Sequence, residues 1–461
     1  MSTYQEVLVY LEHFTNAEPQ PDSPQAMDAA LNLERMRRLL AALGDPHLRY
    51  PVAVHVAGTK GKGSVSAICA SVLQAAGYRV GLFTSPHLED FCERIQVQGE
   101  PISQEAVVAL TERMLPAIET IPHLRTFELY TALACLYFAE QGVQAAVLEV
   151  GLGGRLDSTN VVTPAVAVIT SLSFDHTMLL GHTLPEIAAE KGGIIKPGVP
   201  VVVAPQQPEA LAVLRRLAAE RSAPLTLIGL DWQVRSVAHS LEGQRLEVRP
   251  SGGAAQQLDL ALLGEHQAEN GAVAYAALSI LRERGWAISP EALTEGFRRV
   301  WWPGRFEILQ RSPTVVADGA HNEDSARRLM QAMRDYFPGR PVTLVFGALR
   351  HKEVEGMFSD LLGPAAEGVA RVILTEADTP RAWEAHELLA LAQAASPPAL
   401  PPRPMQVVKP VARALQMALE SSAPGDVILV TGSLRVVAEA RAACKRRAWP
   451  APPERIEDVY G

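Results

Sequence analysis

Short apolar runs alternate with longer stretches of helical periodicity along most of the chain. Apolar runs of strand length occur at Val52–Ala57, Val80–Ser85, Ala145–Val150, Ala165–Thr170 and Val199–Ala204. Between them, Ser103–Ile121 and Thr126–Gln141 carry apolar residues at helical spacing. Strands that alternate with helices predict βαβ units and a mainly parallel sheet.

The pattern changes after the last of these runs. Between Pro224 and Leu260 apolar and polar residues alternate more tightly, which predicts a small antiparallel sheet. Helical spacing resumes over Glu265–Arg284 and Pro290–Val300.

The segment WWPGRFEIL (Trp301–Leu309) is the best candidate for a domain boundary, because its Pro-Gly pair breaks the preceding helix. Four apolar runs follow, each leading into a helical stretch: TVVADGAH, VTLVFGAL, RVILTEA and DVILVTGSL. We therefore expect one domain over residues 1–303 and a second, smaller α/β domain over residues 304–461.

Composition narrows the classes of function. The 461 residues include 42 Lys plus Arg and 51 Asp plus Glu, which gives a formal net charge of −9. That balance argues against a nucleic-acid binder acting through global charge, but it leaves room for a local basic pocket that holds an anion. The chain has neither the pattern of a signal peptide nor an apolar run of membrane-spanning length, so we expect no membrane partner. The four cysteines form no CxxC pair, so we expect buried thiols and a cytoplasmic protein.

The first chemical motif is HVAGTKGKGS (His55–Ser64), which follows a predicted strand and opens a predicted helix. Its three glycines allow a tight turn that brings backbone N–H groups close to an anion. Lys62 supplies a cation and Ser64 a hydroxyl for phosphate or Mg²⁺. The strict phosphate-loop pattern is broken by Val56 and Gly63, so this is a variant phosphate loop. The alternative is a flexible glycine-rich turn.

Polar residues follow two further predicted strands. Glu149 ends AAVLEV, where a carboxylate at the edge of a parallel sheet is well placed to hold a metal near a bound phosphate. GLGGRLDSTN (Gly151–Asn160) suits a loop that wraps a ligand, and SFDHT brings Asp175 and His176 to the same edge. The alternatives are an exposed strand-end acid, a surface loop and a surface histidine.

The remaining motifs are weaker on their own. Lys191 lies in EKGGIIKPG, where a charged residue on a solvated helix is the ordinary interpretation. Arg305 in PGRFE and Asp318 in ADGAHN follow the expected boundary and suit contacts with a nucleotide. Ordinary strand-end and capping chemistry is the alternative, with Asn322 as a helix N-cap.

Taken together, these motifs resemble a known family. HVAGTKGKGS, GLFTSPHL, ERIQVQGEPIS, EVGLGGRLDSTN, SFDHT, EKGGIIKPG, GEHQAEN, PGRFE, DGAHN and VTGSL occur in this order. The set strongly resembles folylpolyglutamate synthases and bifunctional dihydrofolate synthase/folylpolyglutamate synthases, which are Mur-type ligases. The resemblance implies an α/β fold: an N-terminal P-loop-type ATPase domain with a mainly parallel sheet plus a small antiparallel sheet, and a smaller Rossmann-like C-terminal domain.

The resemblance also implies the site residues. Those expected to bind ATP are Gly61, Lys62, Gly63, Ser64, Asn270, Arg305 and Asp318. Those expected to bind Mg²⁺ are Ser85, Glu149 and His176. Those matching the pteroate-binding segments are Thr126, Phe127, Glu128, Leu129, Leu156, Asp157 and Ser158. Lys191 matches a lysine that the family carries in N-carboxylated form, and it is expected to be catalytic together with Lys62 and His176.

The implied activity is ATP-dependent ligation of L-glutamate to dihydropteroate, to reduced folates or to both, through an acyl phosphate, by a monomer. Two rival functions are a Mur-type peptidoglycan-precursor ligase and a regulatory P-loop ATPase that does not ligate. The sequence departs from the family pattern at Lys60, at Gly192 and in the segment 347–353, which holds His351 and Lys352.

Overall fold

The computed structural model describes residues 3–16, 33–350, 352, 354–363, 366, 368–396 and 403–445. His351 and Glu353 of the departing segment and residues 397–402 lie outside the described residues. The chain divides into two compact units. The first comprises residues up to Arg235, 246–260 and 267–300, and the second comprises 236–245, 261–266 and the chain from Trp301 onward.

The first unit is built on an eight-stranded sheet. Its strands are β1 (Val52–Ala57), β2 (Val80–Phe83), β3 (Ile95–Val97), β4 (Glu100–Pro101), β5 (Ala145–Glu149), β6 (Val166–Ile169), β7 (Val201–Val203) and β8 (Leu225–Leu227). They lie in the order β4-β3-β2-β5-β1-β6-β7-β8. The six strands from β2 to β8 in this order are parallel to one another. At one side of the sheet β3 is antiparallel to β2, and β4 is antiparallel to β3. The central strands β1, β5 and β6 are fully buried and consist mostly of Val, Ala, Leu and Ile, as expected of a parallel sheet covered on both faces. The polar exceptions are His55 in β1 and Glu149 at the end of β5.

Helices pack on this sheet or lead into the next strand. They are α1 (Tyr4–Asn16), α2 (Leu33–Ala42), α3 (Lys62–Ala75), α4 (Gln104–Thr120), α5 (Thr126–Glu140), α6 (Thr177–Leu180), α7 (Leu184–Lys191), α8 (Pro208–Glu220), α9 (Glu265–Glu283) and α10 (Pro290–Arg299). Helix α3 packs tightly on α10. Gly296 of α10 lies so close to Val72 of α3 that an added Cβ would be only 2.4 Å from the Val72 Cα atom. The Ser71 hydroxyl also donates to the Gly296 carbonyl at 2.8 Å. This close packing fixes the helix that follows the phosphate loop.

A three-stranded sheet follows, with strands β9 (Trp232–Ser240), β10 (Gly243–Pro250) and β11 (Gln256–Leu260) in the order β11-β10-β9. Two residues connect β9 to β10, which is the usual length of an antiparallel hairpin turn. It lies in the region where tighter alternation predicted a small sheet.

The second unit contains a six-stranded sheet in the order β12-β13-β17-β14-β15-β16, whose strands are β12 (Glu307–Arg311), β13 (Thr314–Ala317), β14 (Val342–Phe346), β15 (Val369–Leu374), β16 (Met405–Val407) and β17 (Val427–Thr431). Its helices are α11 (Glu323–Tyr336), α12 (Val354–Leu362), α13 (Ala385–Ala395), α14 (Val411–Glu420) and α15 (Leu434–Lys445). All neighbouring strands are parallel except β12, which is antiparallel to β13. The predicted α/β class, with a mainly parallel N-terminal sheet and a second C-terminal sheet, is confirmed.

All four cysteines are buried and unpaired, as predicted. Among the described residues, no helix is long and apolar enough to cross a membrane.

Candidate active site

The phosphate loop connects β1 to α3. Gly58 and Gly61 have φ values of +147° and +87°, which only glycine adopts readily. Space also requires glycine, because a Cβ at Gly61 would lie 2.2 Å from Asn270 Oδ1 and one at Gly58 would lie 1.8 Å from Thr170 Oγ1. Helix α3 begins at Lys62, directly after the turn, so its first N–H groups and its dipole favour an anion there.

Three neighbouring strands bring Lys62, Glu149 and Ser85 to one edge of the sheet. Strand β5 lies between β1 and β2, with Glu149 in register with Val56. Glu149 Oε1 lies 4.0 Å from Lys62 Nζ, and the two side chains are 5% and 16% exposed. The other oxygen, Oε2, accepts a hydrogen bond from Ser85 N at 3.1 Å. A nearly buried carboxylate thus stands beside the loop that is expected to hold phosphate.

Of the three residues expected to bind Mg²⁺, Ser85 and Glu149 lie together and His176 does not. A carboxylate and a serine hydroxyl are the oxygen ligands that Mg²⁺ prefers, with waters and phosphate oxygens completing its shell. His176 follows β6 at the same edge, two strands and about 10 Å from β5. Its side chain is 50% exposed, and its Nε2 lies 3.9 Å from Asp175 Oδ1. Ser85 and Glu149 are therefore adjacent, whereas His176 belongs to the next loop, and no three His, Cys, Asp or Glu side chains cluster as metal ligands in the described residues.

Lys191 is buried, and the solvated-helix alternative for it is wrong. It is the last residue of α7, is only 5% exposed, and donates from Nζ to the carbonyl of Gly58 at 3.0 Å. Burial, and then the nearby Lys62 charge, lower the pKa of Lys191 to about 7, against the opposing effect of Asp175 and other acids. A substantial fraction of the amine is therefore neutral near pH 7, directly beneath the phosphate loop.

The loop Gly151–Asn160 is organised by Asp157. The Asp157 carboxylate accepts hydrogen bonds from the N–H groups of Gly151 (3.0 Å) and Leu152 (2.9 Å) and from both the backbone N–H and the hydroxyl of Thr159. Burial raises its pKa, and these hydrogen bonds oppose the rise. Asp157 therefore shapes the loop from within, whatever contact it makes with substrate.

His55 is a residue whose role the sequence did not reveal. It lies in the middle of β1, fully buried, with Nε2 2.9 Å from Thr159 Oγ1. Burial lowers the pKa of His55 to about 3, so the ring is neutral. Because the Thr159 hydroxyl donates to Asp157, His55 is the donor to Thr159 and supports the loop from the strand below.

The expected pteroate-binding segment on α5 is mostly occupied by structural contacts. The Thr126 hydroxyl donates to the Leu11 carbonyl, Leu129 is in the core, and Glu128 pairs with Arg35 at 3.1 Å. The Arg125 backbone N–H also donates to Glu128 at 2.8 Å.

Phe127, by contrast, is partly exposed. Its ring lies 5.7 Å from that of Phe83, and a Cβ at Gly151 would come within 2.4 Å of it. Leu156 is also partly exposed, whereas the Ser158 hydroxyl lies 2.6 Å from that of Thr131. Phe127 and Leu156 are thus the members of this set best placed to contact a ligand.

Asn270 is held toward the phosphate loop by a neighbour on α9. Its Nδ2 donates to Gln267 Oε1 at 2.9 Å, and Gln267 is fully buried. This leaves Oδ1 against Gly61, as the close Cβ distance shows. Gln267, which the sequence did not single out, therefore orients Asn270.

Arg305 and Asp318 lie together in the second unit. Asp318 follows β13 and accepts from the backbone N–H groups of Phe306 and Ala320, both at 2.8 Å. Burial raises the pKa of Asp318, and the nearby Arg305 opposes the rise. Asn322 accepts from Ser325 N at 3.0 Å and caps α11, so the capping interpretation of this residue is confirmed.

Comparison with known proteins identifies the family. Residues 56–278 match the Mur ligase middle domain, and residues 304–434 match the Mur ligase glutamate ligase domain. The chain is 39% identical over 421 residues to the dihydrofolate synthase/folylpolyglutamate synthase of Bacillus subtilis, covering 90% of this chain and 95% of that protein. It is 33% identical over 409 residues to the corresponding Escherichia coli protein, covering 88% of this chain and 90% of its relative.

Solved structures agree with this assignment. A folylpolyglutamate synthase from Thermotoga maritima matches with a TM-score of 0.81 at 36% identity, covering 96% of each chain. The Escherichia coli FolC protein in complex with DHPP and ADP matches with a TM-score of 0.84 at 31% identity, covering 97% of this chain and 99% of the other. The chain therefore belongs to the folylpolyglutamate synthase and dihydrofolate synthase family, which is built from Mur ligase domains, and it is an ATP-dependent ligase.

Proposed function

We propose that this protein ligates L-glutamate to dihydropteroate, to reduced folate (poly)glutamates or to both, with ATP as the energy source. The observation that carries the proposal is the arrangement around the phosphate loop. Lys62, Glu149 and the buried amine of Lys191 converge on the start of α3. The relatives reported above are folylpolyglutamate and dihydrofolate synthases, which favours this function over a peptidoglycan-precursor ligase or a regulatory ATPase.

The reaction has two steps that balance without a redox partner. A carboxylate oxygen of the pterin substrate attacks the γ-phosphorus of ATP, the bond to the β–γ bridging oxygen breaks, and ADP leaves. The glutamate α-amine then attacks the carbonyl carbon of the acyl phosphate, and inorganic phosphate leaves while the nitrogen loses a proton. Such phosphoryl transfer depends mainly on positioning and on neutralising charge.

The chain's own residues meet those needs. The N-terminus of α3 and the Lys62 ammonium bind the phosphates. Gly61 is the last residue of the turn before α3, and Gly63 and Ser64 lie in the first turn of the helix. Arg305 and Asp318 are proposed to contact the nucleotide. When bound, Mg²⁺ supplies charge neutralisation at the phosphates, and Ser85, Glu149 and His176 are the residues that would hold it.

Lys191 is proposed to act as a carbamate. Its neutral amine attacks the carbon of CO₂ and releases a proton, which converts the neutral amine into an anion with two acceptor oxygens. The lowered pKa of Lys191 supports this, because only the neutral amine reacts. An anion there suits a site that already contains Lys62 and binds a divalent cation.

We further propose that the protein acts as a monomer in the cytoplasm on small-molecule substrates, without nucleic acid or membrane. The net charge of −9 and the four buried free thiols support this assignment. Light scattering of the purified protein, with and without ADP, tests the monomeric state.

Both ligase activities are expected in this chain, because the TFEL and LDS segments resemble those of bifunctional members. The test is to assay the purified protein with dihydropteroate and, separately, with a tetrahydrofolate, following the glutamylated product by mass. Products from both acceptors are expected. Strict inactivity toward one acceptor would refute dual function and leave a single ligase activity.

A further inference from the structure

Arg441, on the C-terminal helix α15, forms a nearly buried ion pair with Glu307 at the start of β12. Its Nε lies 2.7 Å from Glu307 Oε2, and its Nη2 lies 3.0 Å from Oε1. The two side chains are 6% and 15% exposed. A two-pronged arginine–carboxylate pair fixes orientation as well as distance, which a single contact does not.

The Glu307 carboxylate also binds the turn that precedes β12. Glu307 Oε2 accepts a hydrogen bond from Gly304 N at 2.8 Å. At the other end of the segment, the guanidinium of Arg441 lies 5.6 Å from the ring centre of Trp301, within range of a cation–π contact. Arg441 therefore contacts both ends of Trp301–Glu307, the ring of Trp301 at one end and the carboxylate of Glu307 at the other. This segment begins the main part of the second unit.

This segment holds an uncommon backbone conformation. Gly304 has φ +69° and Phe306 has φ +46°, and a bulky side chain in this region is strained. Phe306 is nonetheless fully buried, with its N–H bonded to Asp318. Such a conformation persists only where surrounding contacts determine it.

Arg305 stands between these two residues, so its direction depends on them. Its Nη1 donates to the Gly304 carbonyl at 3.1 Å, and the same carbonyl accepts from Gly319 N at 2.9 Å. A Cβ at Gly319 would lie 2.7 Å from Arg305 Nη1, so the guanidinium lies against that backbone. Loosening the turn at Gly304 would release this arrangement.

We propose that Arg441 is a positioning residue for Arg305: through Glu307 and the Gly304 turn, it holds Arg305 in the orientation that binds the ATP phosphates. The inference rests on the proposed nucleotide contact of Arg305, and Arg441 itself needs no contact with substrate. The two partners are 134 residues apart in sequence, so no local motif reveals the link.

The test compares Arg441→Met and Arg441→Lys with a control, Arg413→Met, which removes an exposed surface pair with Glu420. Arg441→Met should weaken ADP binding by about tenfold, as expected for loss of a charge-assisted contact, and raise the KM for ATP. The KM for the pterin acceptor should stay unchanged. Arg441→Lys keeps the charge without the two-pronged geometry, so its ADP affinity should lie between those of Arg441→Met and the wild type. Arg413→Met should bind ADP as the wild type does.

Arg305→Met and the double variant Arg305→Met/Arg441→Met distinguish a failure of the role inferred for Arg441 from a failure of the role proposed for Arg305. If Arg441 acts through Arg305, the double variant binds ADP no more weakly than Arg305→Met alone. If Arg305→Met weakens ADP binding but Arg441→Met changes only the melting temperature, Arg441 is merely structural and the inference is overturned. If Arg305→Met has no effect on ADP binding, the proposed role of Arg305 fails, and the inference with it.

Should Arg441→Met not fold, Arg441→Lys and Trp301→Leu provide the same comparison, because Trp301 is 66% exposed and its ring is not part of the core. Unchanged ADP affinity in both variants would also overturn the inference.

Discussion

Two lysines near the phosphate loop differ in burial and in surroundings, and the difference suggests different roles. Lys62 faces the Glu149 carboxylate and keeps some exposure to solvent, as a residue that meets incoming phosphate requires. Lys191 donates a hydrogen bond to the Gly58 carbonyl, and burial together with the nearby Lys62 charge lowers its pKa, which favours its neutral form. This difference supports the proposed roles, phosphate binding for Lys62 and carbamate formation for Lys191.

Lys62→Met is expected to lower ligase turnover by at least about a hundredfold, because a preorganised charge aimed at the transferring phosphoryl group is lost. The fold should persist, since the side chain is at the edge of the site. Turnover and the thermal melt are measured together. Arg216→Met, which removes an exposed pair with Glu220 on α8, is the control. Near-wild-type turnover in Lys62→Met would contradict the assigned role.

Carboxylation of Lys191 should depend on pH in a defined direction. The pKa of Lys191 is lowered from the ordinary lysine value to about 7, so the neutral amine predominates above pH 7 and is lost as pH falls below it. At constant dissolved CO₂, a carbamate signal from carbon-13-labelled bicarbonate should therefore grow as pH rises through 7 and vanish in Lys191→Ala. That variant should be nearly inactive and partly restored by a small carboxylic acid; full activity at limiting Mg²⁺ would exclude a catalytic carbamate.

Among the elements, the connection from β1 to α3 depends most strictly on glycine. Gly61→Ala would place a methyl group 2.2 Å from Asn270 Oδ1 at a positive φ, so it combines backbone strain with a clash. Gly77→Ala is a matched control, since Gly77 has almost the same φ of +88° and nothing within 4 Å of the added Cβ.

We expect Gly77→Ala to destabilise the protein by about 1 kcal/mol through strain alone. Gly61→Ala should destabilise the protein more than Gly77→Ala does. It should also weaken ADP binding, because Asn270 must move. Thermal melts and ADP titrations of both variants check this. Equal stability losses and unchanged ADP affinity would show that Asn270 yields freely and that the close approach is unimportant.

The sequence predicts the elements at the sheet centre better than those at its edge. The strands β1, β5 and β6 are almost entirely apolar, because both faces of the sheet are covered. Such apolar runs can be recognised in the sequence without knowing which strands lie beside them. β3 and β4 have only three and two residues. β3 forms by pairing with β2, and β4 forms by pairing with β3, so no local pattern predicts them.

The candidate site is readable from sequence only in part, for a related reason. Residues that follow a buried strand, such as Ser85 and Glu149, meet at one edge because parallel strands place their carboxyl ends together. Other features depend on segments far away in sequence: the burial of Lys191, the hydrogen bond between His55 and Thr159, and the pairing of Glu128 with Arg35. Such long-range contacts have no local signature in the sequence.

At the scale of the whole molecule, the first unit carries the proposed phosphate site. The second carries Arg305 and Asp318, and Asp318 accepts a hydrogen bond from the backbone N–H of Phe306, the residue after Arg305. A ligase of this kind must release ADP only when it also makes an amide bond, because an acyl phosphate open to water would be wasted by hydrolysis. Coupling between ATP cleavage and the two other substrates therefore distinguishes a ligase from an ATPase.

The most direct test measures ADP release by the purified protein with ATP and Mg²⁺, adding dihydropteroate and L-glutamate singly and together, while mass spectrometry follows the pterin. A ligase should release ADP rapidly only when both substrates are added, and each ADP should be matched by one pterin product that is heavier by one glutamyl residue. An ADP release rate that neither dihydropteroate nor L-glutamate changes, with no glutamylated product, would contradict the ligase assignment and support the regulatory ATPase instead.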